Sequence, residues 1–317
     1  MASPTQKPRP RSPKTSDKPP PGTALSNESR DIIDPVWLAK ALGIVLAAAF
    51  VCGYLTLCLL FYQGQWQLVL HPARSNSAPA ALSGIPFQTI HFGVDESASP
   101  QLTGLLIPAE PAARYAAYTV LYLPSGDGSL ADADAPLVAL HETGINIFAF
   151  DYRGYGQSGP IHPNQARMTA DADSAWQYLA VSRGVPPSRV VLFGNGVGCS
   201  LAARLAENHP EAPAVVLESP RPDLIQTVFA DPRTKSLPVR TLFREDFPIL
   251  QSVTNLKTPK LFLLEPQANN PSATPDSIKR LTSAAASPKM VSELLTNAVN
   301  GPIYKEQLTR FLDQYLK

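Results

Sequence analysis

The longest uninterrupted apolar run is Ala41 to Tyr62, ALGIVLAAAFVCGYLTLCLLFY, 22 residues without a charge. About 20 such residues cross a hydrocarbon core of about 30 Å at the helical rise of 1.5 Å per residue. The run has no polar face, which a helix packed on a soluble core would carry. Trp37 and Lys40 stand at one end, and Tyr62 and Trp66 at the other. Such amphipathic side chains suit a membrane–water boundary. The pattern predicts a transmembrane helix over 35–62, in contact with the lipid bilayer through residues 36–62.

Beyond it the pattern changes to short apolar runs separated by polar helical stretches. The runs are PFQTIHFG, QLTGLLIP, YTVLYLP, INIFAFDY, RVVLFG, APAVVLES, PKLFLLE and MVSELL. Helical spacing is read at 131–142, 167–183, 197–208, 275–285 and 303–316. From residue 118 the runs are apolar at successive positions, as expected for strands covered on both faces. Alternating strands and helices with right-handed crossovers predict an α/β fold, a doubly wound, mostly parallel sheet with helices on both faces. The first two runs lack an intervening helix and should pair as an antiparallel hairpin at an edge. No second Pro/Gly-rich break occurs, so 84–317 reads as one domain and 63–83 as a linker.

Composition adds a tail. Of the 33 prolines, many fall in MASPTQKPRPRSPKTSDKPPPG, a basic opening with almost no large apolar residues. Such a segment cannot bury enough surface to offset its chain entropy, so residues 1–34 are expected to be disordered. Lys7, Arg9, Arg11, Lys14, Lys18 and Arg30 precede the apolar run, and only Arg74 occurs in the twenty residues after it. The positive-inside rule then places the N-terminus in the cytoplasm and the domain on the outer, or periplasmic, face of the plasma (inner) membrane. A formal net charge of +1 argues against nucleic acid as a partner. Cys52, Cys58 and Cys199 form neither a disulfide framework nor a metal spacing, and no cofactor or metal is expected.

Three segments carry a family likeness: Asp151 to Ser158, reading DYRGYGQS after the strand NIFAF; FPILQSVTNLKTPKLFLL; and LFYQGQWQLVLHPAR. Over roughly residues 60–317 the chain resembles the α/β-hydrolase superfamily, and within it the membrane-anchored serine-hydrolase branch with the signature DYRGYGxS. The resemblance implies an α/β-hydrolase fold with a nucleophile on a sharp strand-to-helix turn, inside Gly-x-Ser-x-Gly. Here that segment is Gly194-Asn195-Gly196-Val197-Gly198, with both flanking glycines kept and a glycine at the centre. Glycine has no group to attack a carbonyl. Ser200 and Cys199 are displaced-nucleophile candidates. Ser200 falls one helical turn past the apex and should point away from it, and a lone buried cysteine usually packs as a small hydrophobe.

The partners are missing as well. In the family order a histidine follows the acid late in the chain. The five histidines are His71, His91, His141, His162 and His209, so the last loop, Thr296 to Gly301, has none. The acid position after PKLFLLE holds Ala268. Glu265 comes too early and reads as a surface carboxylate at a strand end; Glu218 could serve as an alternative acid, but with no nucleophile or base to orient it reads as a structural hydrogen-bonding partner. Ser125 and Gly126 stand where the resemblance puts an oxyanion loop, followed by Asp127, expected to face water and cap the turn. Ser125, Gly126, Gly196, Val197 and His162 are therefore pocket candidates. Arg153 reads as a brace for its loop. The expected function is a catalytically inactive, membrane-anchored hydrolase relative that binds an acyl or ester-like ligand or serves as a scaffold. An active serine or cysteine hydrolase of acyl ester or peptide-like substrates with a rewired site, using Ser200, Cys199 or His162, is one alternative. An envelope interaction protein acting through its Pro-rich tail is the other.

Overall fold

The structure, a computed structural model, describes residues 34–75, 82, 84–94, 99–265, 270–294 and 301–316. Residues 1–33 of the expected tail, Ala268 and residues 296–300 lie outside these. The first element is α1 (Pro35–Gly64), whose outward side chains are apolar along its length, as at Ile44, Phe50 and Leu60. It is long and apolar enough to cross a membrane.

A compact unit comprises Tyr54–Lys317. Its centre is an eight-stranded sheet of β2 (Gln88–Val94), β3 (Pro100–Ile107), β4 (Tyr115–Leu123), β6 (Ile145–Asp151), β7 (Val190–Asn195), β8 (Val215–Glu218), β9 (Lys260–Leu264) and β10 (Lys289–Glu293). The spatial order is β2-β3-β6-β4-β7-β8-β9-β10. β3 runs antiparallel to both neighbours, and every other pairing is parallel. Each strand coincides with one of the eight apolar runs, and the first two form the expected antiparallel pair at the edge.

Helices cover both faces. On one side α3 (Gln165–Gln177), α4 (Gly198–Asn208), α7 (Leu250–Asn255) and α8 (Pro275–Ala284) bury Met168, Leu201, Leu205, Val253 and Leu281. On the other, α2 (Asp134–Glu142) and α9 (Pro302–Tyr315) bury Leu137, Leu140, Leu308 and Phe311. The middle strands are closed on both faces: Val120, Leu121, Tyr122 and Leu123 are each at most 2% exposed. Two short helices, α5 (Leu224–Ala230) and α6 (Val239–Leu242), fill the connection after β8.

The stretch read as a linker is, where described, part of the domain. A short 3-10 turn spans Gln65–Leu68, Val69 and Leu70 are 1% exposed, and β1 (His71–Pro72) pairs with β5 (Asp127–Gly128). Gln65 fixes this entry: its Nε2 donates to the Tyr62 and Leu242 carbonyls, and its Oε1 accepts from the Arg244 amide. The short run Leu68-Val69-Leu70 carries no period of its own, so its burial was invisible in the sequence.

Candidate functional site

The parallel strands end together, and the connections after them form one rim of the sheet. At its centre β7 stops at Asn195, the chain turns at Gly196 with φ +56°, and α4 starts at Gly198. Left-handed backbone of this kind costs a non-glycine residue roughly 1–3 kcal/mol. A Cβ at Gly198 would lie 2.2 Å from the Leu123 carbonyl oxygen, so only glycine lets α4 approach β4 this closely.

The turn is closed by its own neighbours. The Gly196 amide donates to the Glu218 carbonyl at 3.0 Å, and the Val197 amide donates to the Ser125 carbonyl at 3.3 Å. Val197 is 1% exposed, and its side chain sits over Gly126, where a Cβ would come within 2.6 Å of Cγ2. The 124–126 loop is held from the other side by the two tyrosines of the DYRGYG run. Tyr152 Oη donates to the Pro124 carbonyl at 3.4 Å, and Tyr155 Oη to the Gly126 carbonyl at 2.9 Å. The remaining residues of that run are also braces. Asp151 Oδ1 accepts from the Leu130 amide, Ser158 Oγ donates to the Asp151 carbonyl, and Arg153 Nε donates to Asp171 at 2.6 Å. Burial raises the Asp151 carboxyl to about 6.

The open space lies beside the turn rather than over it. A cavity of about 490 Å³ is lined by Leu68, Val69, His71, Asp127, Arg221 and Leu224, with Thr227 and the 270–272 segment completing it. The pocket candidates Ser125, Gly126, Gly196 and Val197 are absent from its wall, because they pack against one another. His162 is absent too: it is exposed and stacks on Trp66 with ring centroids 5.3 Å apart. Asp127, expected to face water, instead bridges His71 and Arg221 across the cavity mouth. Its Oδ1 lies 2.7 Å from His71 Nδ1, and its Oδ2 pairs with Arg221. Sequence reasoning missed this trio because its members come from three segments distant in the chain with no motif between them.

The displaced-nucleophile candidates face elsewhere. Ser200 Oγ donates to the Pro248 carbonyl at 3.0 Å, and Cys199 Sγ lies 3.1 Å from the Gly194 and Glu218 carbonyls. Burial pushes the Cys199 thiol well above its ordinary range, so it stays a neutral thiol rather than a thiolate. The remaining histidines are engaged away from the turn: His91 with Thr103, His141 with the Pro108 carbonyl, and His209 stacked on Trp176.

Two carboxyls stand at the strand ends next to the turn. Glu218 is 1% exposed; Tyr304 Oη donates to its Oε2 at 3.2 Å, and the Asn195 side chain also hydrogen-bonds its carboxyl. Burial, helped by the neighbouring Glu265 charge, raises Glu218 to about 7. Glu265 is not the surface group the sequence suggested. It is half-buried, its Oε1 is enclosed without a partner among the described residues, and burial raises its carboxyl. Among the described residues, no cluster of three or more His, Cys, Asp or Glu side chains is arranged to hold a metal ion.

Residues 130–295, more than half of the chain, match the model of the family described as Serine aminopeptidase, S33. An uncharacterized protein of Mycobacterium tuberculosis is 28% identical over 281 residues, covering 87% of this chain and 96% of its own. The mouse alpha/beta hydrolase domain-containing protein 17C is 33% identical over 118 residues, 37% of this chain and 34% of its own. Among solved structures, a Pyrococcus furiosus esterase superposes with a TM-score of 0.60 at 17% identity, covering 78% of this chain and 98% of its own. An alpha-beta hydrolase from Vibrio vulnificus gives 0.57 at 20% identity, over 73% and 82%. At these identities the superpositions establish the fold.

Proposed function

Because the chain belongs to the serine aminopeptidase S33 family of the α/β-hydrolase superfamily, we propose that it keeps the fold of a hydrolase without the chemistry, as a membrane-anchored ligand-binding or scaffold protein. The observation that carries this reading is the turn at Gly196. It holds no nucleophile, it is buried, and the amide that follows it is spent on the Ser125 carbonyl at 3.3 Å. In an acyl-transfer enzyme that amide has to be free to meet a developing oxyanion, and the hydroxyl beside it needs an imidazole. Losing a main member of such a triad leaves only the residual ~10³–10⁴ acceleration given by binding and the oxyanion hole. Here the oxyanion donor is engaged as well. The cavity beside the turn, with its apolar floor and its His71–Asp127–Arg221 mouth, suits a small amphiphile such as an acyl or ester-like compound.

The anchor is α1, and the basic residues before it orient the N-terminus to the cytoplasm and the domain to the outer face. Protease added to intact spheroplasts digests the domain if this orientation holds; full protection refutes it.

A serine-directed phosphonate probe is expected to leave the wild-type protein unlabelled. Gly196→Ser is expected to gain no ester turnover above buffer and to lower thermal stability by about 1–3 kcal/mol through the left-handed backbone. Its Cβ would lie 3.0 Å from Ser125 Cβ and 3.1 Å from the Ser125 carbonyl oxygen. Strong labelling of the wild type, or turnover gained by the serine variant, overturns the reading. A second reading, a hydrolase with relocated chemistry, draws on the 2.7 Å His71–Asp127 contact at the cavity mouth. It requires ester turnover by the wild type that His71→Gln abolishes.

A further inference from the structure

α1 is 30 residues long, which at 1.5 Å per residue is about 45 Å. That matches a whole bilayer including both headgroup layers, about 40–45 Å. The uncharged run ends at Tyr62, and Tyr54 lies eight residues earlier, about 12 Å along the axis. The domain reaches back to this level. Tyr54 Oη donates to the Ser236 carbonyl at 3.2 Å. A cavity of about 420 Å³ lies between the last turns of α1 and the loop after α5, walled by Leu57, Leu60, Phe61, Leu68 and Leu237, with Arg233 among its polar residues. The loop that reaches the helix therefore stands beside residues that the bilayer itself must surround.

Its chemistry fits that position. Residues 231–240 carry Arg233, Lys235 and Arg240 against one acid, Asp231. All three cations are exposed, and Arg240 lies over the exposed Phe229 ring, 5.3 Å from its centroid. Arg233 engages Asp231 through Nε and one terminal nitrogen, at 2.6–3.1 Å. Cations above apolar side chains, next to a membrane helix, form a surface complementary to anionic phospholipid.

We propose that residues 229–240 are a second membrane contact, seated in an anionic phospholipid headgroup layer where α1 leaves the bilayer, with a lipid acyl chain in the cavity against Leu57, Leu60 and Leu237. This rests on α1 being a membrane anchor. The consequence is that the mouth of the larger cavity, which shares Leu68 with this one, opens next to lipid.

The test uses the full chain with Cys52→Ala and Cys58→Ala, in nanodiscs of phosphatidylcholine with or without phosphatidylglycerol. A polarity-sensitive fluorophore is placed at Ser236→Cys or, as a comparator, at Asn208→Cys at the end of α4 farthest from the turn. The label at 236 is expected to shift to the blue and to be quenched severalfold more by brominated lipid than the label at 208. Arg233→Glu with Lys235→Glu is expected to halve that quenching, or more, in discs containing phosphatidylglycerol. Water-like emission at 236, equal to that at 208, overturns the proposal while α1 still resists alkaline extraction from membranes. Quenching indifferent to lipid charge and to charge reversal overturns it as well. Release of the protein by alkaline extraction removes the anchor and this contact with it.

Discussion

Replacing Arg153 by methionine is expected to cost about 3–4 kcal/mol of unfolding free energy, a fall of at least about 6 °C in thermal midpoint for a domain of this size. Asp171 is the reason. Its side chain is 3% exposed and is held by Arg153 twice, by the amide at 2.9 Å and by Nε at 2.6 Å. Burial raises the Asp171 carboxyl, and the contacts with Arg153 offset that rise. Without the guanidinium an ionised carboxylate is left in the interior with the Arg153 amide and the Arg167 charge. Removing one partner of such a pair costs more than the pair itself is worth. Two further results separate this from a role in binding or chemistry. The deficit should shrink toward pH 5, because the bereft carboxyl can take up a proton in the fold. Adding Asp171→Leu should recover much of the loss, since it removes the stranded charge. Circular dichroism melts in detergent micelles measure both. A midpoint within about a degree of wild type would show that Asp171 is satisfied by other means.

The prominence of DYRGYG in the sequence thus has a packing explanation. Tyr152 and Tyr155 hold the 124–126 loop, Arg153 holds α3, and Ser158 receives the Thr103 amide from β3. The motif joins the elements around the site without entering the cavity. It would be retained by a protein that has to keep the fold whether or not it keeps a reaction.

How far the sequence could be read follows from where each feature is encoded. The middle strands, β4 and β6 to β9, were legible because parallel strands covered on both faces need apolar residues at successive positions. The turn at Gly196 was legible because close approach and positive φ both demand glycine at fixed spacing. The absence of a late histidine needed only the chain order. The helices between β8 and β9 were not legible. α5, α6 and α7 have seven, four and six residues, too short for a period of 3.6 to declare itself, and Pro232, Pro238 and Pro248 break the stretch. The cavity was misplaced for another reason. Whether space remains over the turn depends on the Val197 side chain lying across Gly126, a matter of packing between segments about 70 residues apart. Likewise Asp127 meets Arg221 94 residues away, so nothing local distinguished it from a solvated turn residue.

Glu218→Gln is expected to stabilise the protein at pH 8 and to leave it close to wild type near pH 5. Burial, then the Glu265 charge, raises the Glu218 carboxyl from 4.5 to about 7 in the fold. Between those values the folded chain holds a proton that the unfolded chain has released. Stability therefore falls as pH rises through that window, and the full penalty is present above about pH 7. A rise of this size corresponds to a penalty on the order of 3 kcal/mol, about 6–12 °C in midpoint. Glutamine has the same shape, is neutral throughout, and can still accept the Tyr304 hydroxyl. Its curve should lack the segment of slope between pH 4.5 and 7 that Glu218 supplies. Asp151, raised to about 6, keeps a slope of the same sign in both proteins, so the difference between the two curves is the quantity to measure. Equal midpoints at pH 8 would mean that Glu218 is ionised without penalty. In a working triad, an acid beside the nucleophile turn is kept charged by the imidazolium it faces, and that partner repays its burial. Here the neighbour is a second carboxyl, Glu265, with one oxygen enclosed and unpartnered among the described residues. A gain in stability on neutralising Glu218 is what a site with no imidazole to orient should show.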